Sequence, residues 1–156
     1  MSKDLYPLKF KPILKEKIWG GSKLNTFLHK DSDSNQVGES WEISDVEGDF
    51  SIVAKGDLQG KTLRSLIEQY QSELVGKSIY EHFQNKFPLL IKFIDAKENL
   101  SVQLHPDDVL AKKRHNSFGK TEMWYIMQAD EGCGIIVGFK DGVSVEDYEN
   151  SLKNNS

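Results

Sequence analysis

The apolar residues of this chain change their spacing once, and that change limits the folds open to it. From Thr62 onward, Leu63, Leu66, Ile67, Tyr70 and Leu74 recur at three- and four-residue intervals, the spacing of one helix face. On either side the apolar runs are short and bounded by glycine, proline or aspartate. In "ESWEIS", Ser40, Glu42 and Ser44 fall on one side and Trp41, Ile43 and Asp45 mostly on the other, which is strand periodicity. "FSIVAKG", "SVQLH", "EMWYIMQA" and "GCGIIVGF" read as further strands. "FPLLIKFIDA" reads as a buried strand, apolar except for Lys92. Leu5 to Trp19 is extended in character, because Pro7 and Pro12 forbid a continuous helix. A weaker helix is expected at about Ser78–Gln84 and a short one in "PDDVLAKKRH", with Pro106 in its first turn. Ser144, three residues before Asp147, marks another helix start.

Short strands divided by Gly and Asp turns, with one helical interruption, predict a mainly β fold, a sandwich or jelly roll. A doubly wound α/β fold would need regular alternation of strand and helix. At 156 residues the chain has the size of one domain. Its net charge of −4 provides no field for nucleic acid. No apolar run approaches the length of a membrane span and no apolar leader opens the chain, so the cytoplasm is the expected compartment. The lone Cys133, in "CGIIVGF", is expected to be a buried small hydrophobe.

The residues that suggest chemistry lie in "SVQLHPDD" and "GKTEMWYI". On a strand, Ser101, Gln103 and His105 share one face, as do Lys120, Glu122 and Trp124. If the two strands line one cavity, an imidazole, a carboxylate and an amide oxygen converge, a set able to hold zinc. The competing reading is a turn histidine beside a surface Lys120–Glu122 pair. Lys92 either points into a polar cavity as an anion-binding or catalytic lysine or guards a sheet edge. His115, in the polar "KKRHNS", reads as a solvated loop residue, and His82 as helical surface.

These same segments carry a family likeness. "PLLIKFIDAKENLSVQLHPDD" followed by "GKTEMWYI" resembles the type I mannose-6-phosphate isomerases (phosphomannose isomerases), and "KIWGG" and "GESWEIS" strengthen the match. The likeness runs from about Tyr6 to Asp141, and the Glu39–Trp41–Glu42 segment resembles the shorter bacterial branch. The resemblance implies a cupin-type jelly roll, one zinc per site, and interconversion of mannose 6-phosphate and fructose 6-phosphate. By motif match it implies Gln103, His105 and Glu122 as zinc ligands. It places Trp19, Lys92, Ser101 and Lys120 around the sugar phosphate, with Lys120 the best-placed base and holding sugar oxygens or phosphate its rival role.

The family's fourth ligand, a histidine, and its catalytic arginine belong to a later segment, and no histidine follows His115. Residues 1–156 are therefore expected to form the N-terminal part of such a domain, an incomplete jelly roll with a helical insertion at about 60–86. Alone it is expected to be inactive and to self-associate through exposed strands. Two other readings stand beside the enzyme: a non-catalytic cupin module binding a sugar or metal, and a purely structural β domain.

Overall fold

The alternation in "ESWEIS" yields the central strand of a small antiparallel sheet. The computed structural model describes residues 4–154 and divides into two units, Met1–Leu100 and Ser101–Ser156. In the first unit, β1 (Ile13–Gly21) is followed by a single helical turn, α1 (Lys23–Thr26), and by β2 (Val37–Ile43). Two short strands, β3 (Asp45–Val46) and β4 (Asp49–Phe50), form a hairpin. Three helices come next: α2 (Leu63–Tyr70), α3 (Ser72–Val75) and α4 (Lys77–Phe83). β5 (Ile91–Ile94) then returns to the sheet, whose order is β1-β2-β5.

Register fixes which side chains can meet. Ile13 pairs with Trp41 and Lys15 with Glu39 across β1 and β2. On the other side of β2, Trp41 pairs with Lys92 and Glu39 with Ile94. The pairing of β1 slips beyond Glu16, and Gly21 next meets Val37. Glycine is required in this bulge. A Cβ on Gly20 would lie 2.5 Å from the Gln36 carbonyl oxygen and the Gly38 nitrogen, both backbone atoms that cannot yield.

Thr62 starts the helix that the apolar spacing predicts. Its side chain accepts a hydrogen bond from the Ser65 amide at 3.1 Å, and a cap of this kind contributes about 1 kcal/mol. Leu63, Leu66, Ile67 and Tyr70 are buried. Leu66 and Tyr70 join Val53 and Leu58 in the core, and Leu5, Tyr6, Leu8, Phe10 and Leu74 pack against it. Gln71, at φ +52°, ends α2, so Leu74 reaches the core from α3 and not from one continuous helix. α4 falls where the weaker helix was expected. Of "FSIVAKG", Phe50 ends β4 and the rest forms isolated bridges, Phe10 with Val53 and Ile52 with Thr62.

The second unit holds α5 (Asp108–His115) and α6 (Val145–Asn154). Asp107 caps α5, accepting from the Leu110 amide at 2.8 Å. Pro106 thus precedes the cap and lies outside the first turn. Ser144 and Asp147 form the reciprocal box that their spacing predicts: the Ser144 amide donates to Asp147 at 2.8 Å and the Asp147 amide to Ser144 at 3.1 Å. The other expectations for this unit need correction. "SVQLH", "EMWYIMQA" and "GCGIIVGF" are irregular, with no ladder partner among the described residues. As a result helix outweighs strand, and the architecture is small sheets mixed with helices where a mainly β fold was expected. Alternation in sequence encodes the two faces of a strand, but a strand also needs a neighbour to bond. Without one, Met123 is 91% exposed and Val137 87%. Cys133 is likewise exposed and not buried. β5 departs in a milder way: it is an edge strand, and Leu89 and Ile91 are exposed.

Candidate metal and substrate site

In the second unit the "QLHPDD" and "GKTE" segments meet. The His105 Nε2 lies 3.3 Å from Glu122 Oε2. The other oxygen of the same carboxylate, Oε1, lies 2.9 Å from Lys120 Nζ. One carboxylate therefore joins the imidazole and the ammonium, and all three side chains keep partial solvent access. Gln103 donates from Nε2 to Ser101 Oγ at 2.9 Å, as expected for residues on one side of the chain. Its Oε1 is then the atom left for a cation. His115 ends α5 and His82 lies in α4, both exposed.

The distances test whether zinc suits these donors. Two ligands each about 2.0–2.1 Å from a tetrahedral zinc stand about 3.3–3.4 Å apart. The observed separation of the imidazole nitrogen and the carboxylate oxygen is 3.3 Å. The pair fits. Among the described residues no cluster of three or more His, Cys, Asp or Glu side chains could hold a metal, so these donor types alone do not complete a zinc set here. Lys120 and Glu122 lie on the same segment, so their half-exposed ion pair, which contributes about 0.2–1 kcal/mol, does not join "GKTE" to "QLHPDD".

In the first unit, Lys92 donates from Nζ to Glu39 Oε1 at 2.9 Å, and Trp41 Nε1 donates to Glu39 Oε2 at 2.8 Å. The lysine therefore answers a buried carboxylate across the β2–β5 pair while also lying on an edge strand. Sequence reasoning did not connect Glu39 with Lys92. The signal lay in "GESWE", where Glu39 and Trp41 share the face on which Trp41 meets Lys92. Trp19 lies against Gly38, where a Cβ would come 2.6 Å from its ring. Its carbonyl accepts from the Lys97 amide at 2.9 Å and the Glu98 amide at 3.2 Å. An apolar cleft of about 200 Å³ lies elsewhere in this unit, lined by residues such as Tyr6, Phe10, Leu63 and Phe87. It holds no carboxylate, imidazole or amine.

Burial is the largest influence on Glu39 and raises its pKa. Hydrogen bonds from Lys92 and Trp41, with the charges of Lys92 and Lys17, outweigh it and leave the carboxyl below its ordinary 4.5. A depressed native value stabilises the fold above the unfolded pKa, and that stabilisation disappears as pH falls through the native value. Urea midpoints should therefore decline between pH 5 and pH 3, and Glu39→Gln should flatten that decline. Equal acid slopes in the two proteins would remove Glu39 from the account.

Residues 7–132 match the family model described as phosphomannose isomerase type I, catalytic domain. The chain belongs to the type I phosphomannose isomerase family. Among the relatives of this family, the mannose-6-phosphate isomerase of Streptococcus mutans is 40% identical over 132 residues, 85% of this chain. The mannose-6-phosphate isomerase ManA of Bacillus subtilis is 39% identical over 136 residues, again 85% of the chain. The crystal structure of the Bacillus subtilis mannose 6-phosphate isomerase matches with a TM-score of 0.63 at 36% identity, covering 72% of this chain and 35% of that one. The chain spans 40% of the length of the first two relatives. No helix among the described residues is long and apolar enough to cross a membrane.

Proposed function

We propose that this chain carries the N-terminal part of the active site of a zinc-dependent isomerase that interconverts mannose 6-phosphate and fructose 6-phosphate, on an incomplete cupin-type jelly roll. The observation that carries this reading is the convergence of His105 and Lys120 on the two oxygens of Glu122. His105, Glu122 and Gln103 would hold the metal. Bound there, zinc would polarise the sugar carbonyl and stabilise the enediolate charge without any change of oxidation state.

The rest of the chemistry falls to this chain's own side chains. Aldose–ketose exchange removes the proton from C2 of the open-chain aldose and delivers one to C1, while the hydroxyl proton passes from O2 to O1. Lys120 Nζ is the proton carrier. Glu122 orients it from one oxygen while its other oxygen faces the imidazole. In the first unit, Lys92 and Trp19 are the residues that the family likeness gives to the sugar phosphate. In the second, Ser101 has that role, and its hydroxyl also orients the Gln103 amide. The family's later histidine and arginine complete the ligand set and the charge that the phosphate needs. The same reading gives a soluble cytoplasmic enzyme acting on a sugar phosphate.

Chelator competition and elemental analysis test the metal. One zinc per chain is expected. His105→Ala should weaken zinc binding by at least about a hundredfold, more than the loss typical of a residue outside the ligand set. His115→Ala should leave it unchanged. Equal behaviour of the two variants would show that the ligands are wrongly assigned, and turnover of mannose 6-phosphate that ignores zinc content, in a polypeptide that includes the later segment of the family, would overturn the zinc dependence.

A further inference from the structure

We propose that Asp108 and Gly119 are positioning residues, forming a backbone clip that sets His105 opposite Glu122; the proposal rests on the zinc reading above. The chain travels from His105 through α5 before it returns to Glu122. Three contacts close that excursion in antiparallel order. The Gly119 amide donates to Asp108 Oδ1 at 2.8 Å. The Lys120 amide donates to the Pro106 carbonyl at 3.2 Å. His105 then meets Glu122 at 3.3 Å. His105 and Glu122 are thus the third rung of a run whose first two rungs bond through backbone amides.

Gly119 is fixed by space. A Cβ there would lie 2.6 Å from the Asp107 carbonyl carbon and the Asp108 nitrogen, and 2.9 Å from the Pro106 carbonyl oxygen. All three are backbone atoms, so any side chain would push the returning segment away from Pro106 and carry Lys120 and Glu122 with it. Asn116 prepares the return by ending α5 in the left-handed conformation at φ +50°. The adjacent aspartates of "HPDD" have separate tasks. Asp107 caps α5 through the Leu110 amide, whereas Asp108 reaches out of the helix to Gly119. The Lys120–Glu122 ion pair lies within the returning segment and cannot set His105 against Glu122, whereas the Asp108 carboxylate accepting the Gly119 amide ties that segment to α5.

The experiment measures zinc affinity of the chain by chelator competition, alongside amide exchange at Gly119 and Lys120. Asp108→Ala and Gly119→Ala should each weaken zinc about tenfold, the lower range for residues that hold ligands in place, and both amides should exchange faster. Asp108→Asn keeps an acceptor oxygen and should stay within about threefold of the parent. Asp107→Ala loosens α5 only and should also stay within about threefold. Protection of the α2 amides reports that each variant is folded, and Gly119→Ala tests the clip from its other side if Asp108→Ala does not fold. Parent-like zinc affinity in Asp108→Ala, or an equal loss in Asp107→Ala, overturns the proposal. If His105→Ala leaves zinc binding unchanged, the metal reading fails separately. The clip is then decided by exchange alone: unchanged rates in Asp108→Ala overturn it and faster rates support it.

Discussion

Lys120→Met is expected to lower kcat for mannose 6-phosphate by about 10²–10⁴, the usual contribution of a positioned acid–base group, and to leave zinc affinity within a fewfold. The assay needs a polypeptide that continues this chain through the later segment of the family. Methionine keeps much of the length and packing of the lysine stem but carries no proton. Lys120 contacts Glu122 through Nζ, at the oxygen that does not face His105, so removal of the amine should leave the proposed ligand atoms in place. The kinetic pattern separates its two roles. A fall in kcat and kcat/KM together identifies a group needed in the transition state, whereas a higher KM at unchanged kcat identifies one that only holds the sugar. Loss of zinc along with turnover would show instead that Lys120 sustains the ligand geometry.

How far the sequence revealed this molecule depended on whether each signal was local. α2 was legible because its apolar spacing and its Thr62 cap lie within one segment, and α6 because Ser144 and Asp147 bond each other across a single turn. In the site segments Ser101 and Gln103 do bond, although the strand that alternation predicted for "SVQLH" does not form, and it was the family likeness that drew "QLHPDD" and "GKTE" together. What failed depended on distant partners. The apolar runs at 122–129 and 132–139 alternate or cluster as strands do, but no ladder partner exists for them among the described residues. Cys133 followed them to the surface. The Glu39–Lys92 bond needed the register of β2 against β5, which composition does not encode. The clip was missed for a similar reason. "HPDD" reads as a helix start, and only the returning chain shows that Asp108 accepts from Gly119 and not from its own helix.

The 156-residue chain assayed alone is expected to show no measurable isomerisation of mannose 6-phosphate. Of the set that the family likeness implies, these residues include His105, Glu122, Gln103 and Lys120, and they span 40% of the length of the mannose-6-phosphate isomerases they match. Zinc sites ordinarily take three or four protein donors, and one of the three here is a neutral amide. Zinc should therefore bind, but more weakly than in a polypeptide that includes the later histidine. The apolar side chains of the second unit point the same way. Leu104 is 98% exposed, Met123 91% and Val137 87%, and unpaired apolar segments of this kind recruit other chains. Sedimentation should show concentration-dependent association, which diminishes when the later segment is supplied. Supplying it, either fused or as a separate polypeptide, should restore both tight zinc and turnover. A monomer of 156 residues that isomerises mannose 6-phosphate at the rate of the longer polypeptide would overturn this division. It would mean that Lys120 and three ligands suffice for the proton transfer, and that the arginine of the later segment is not needed to neutralise the charge of the phosphate.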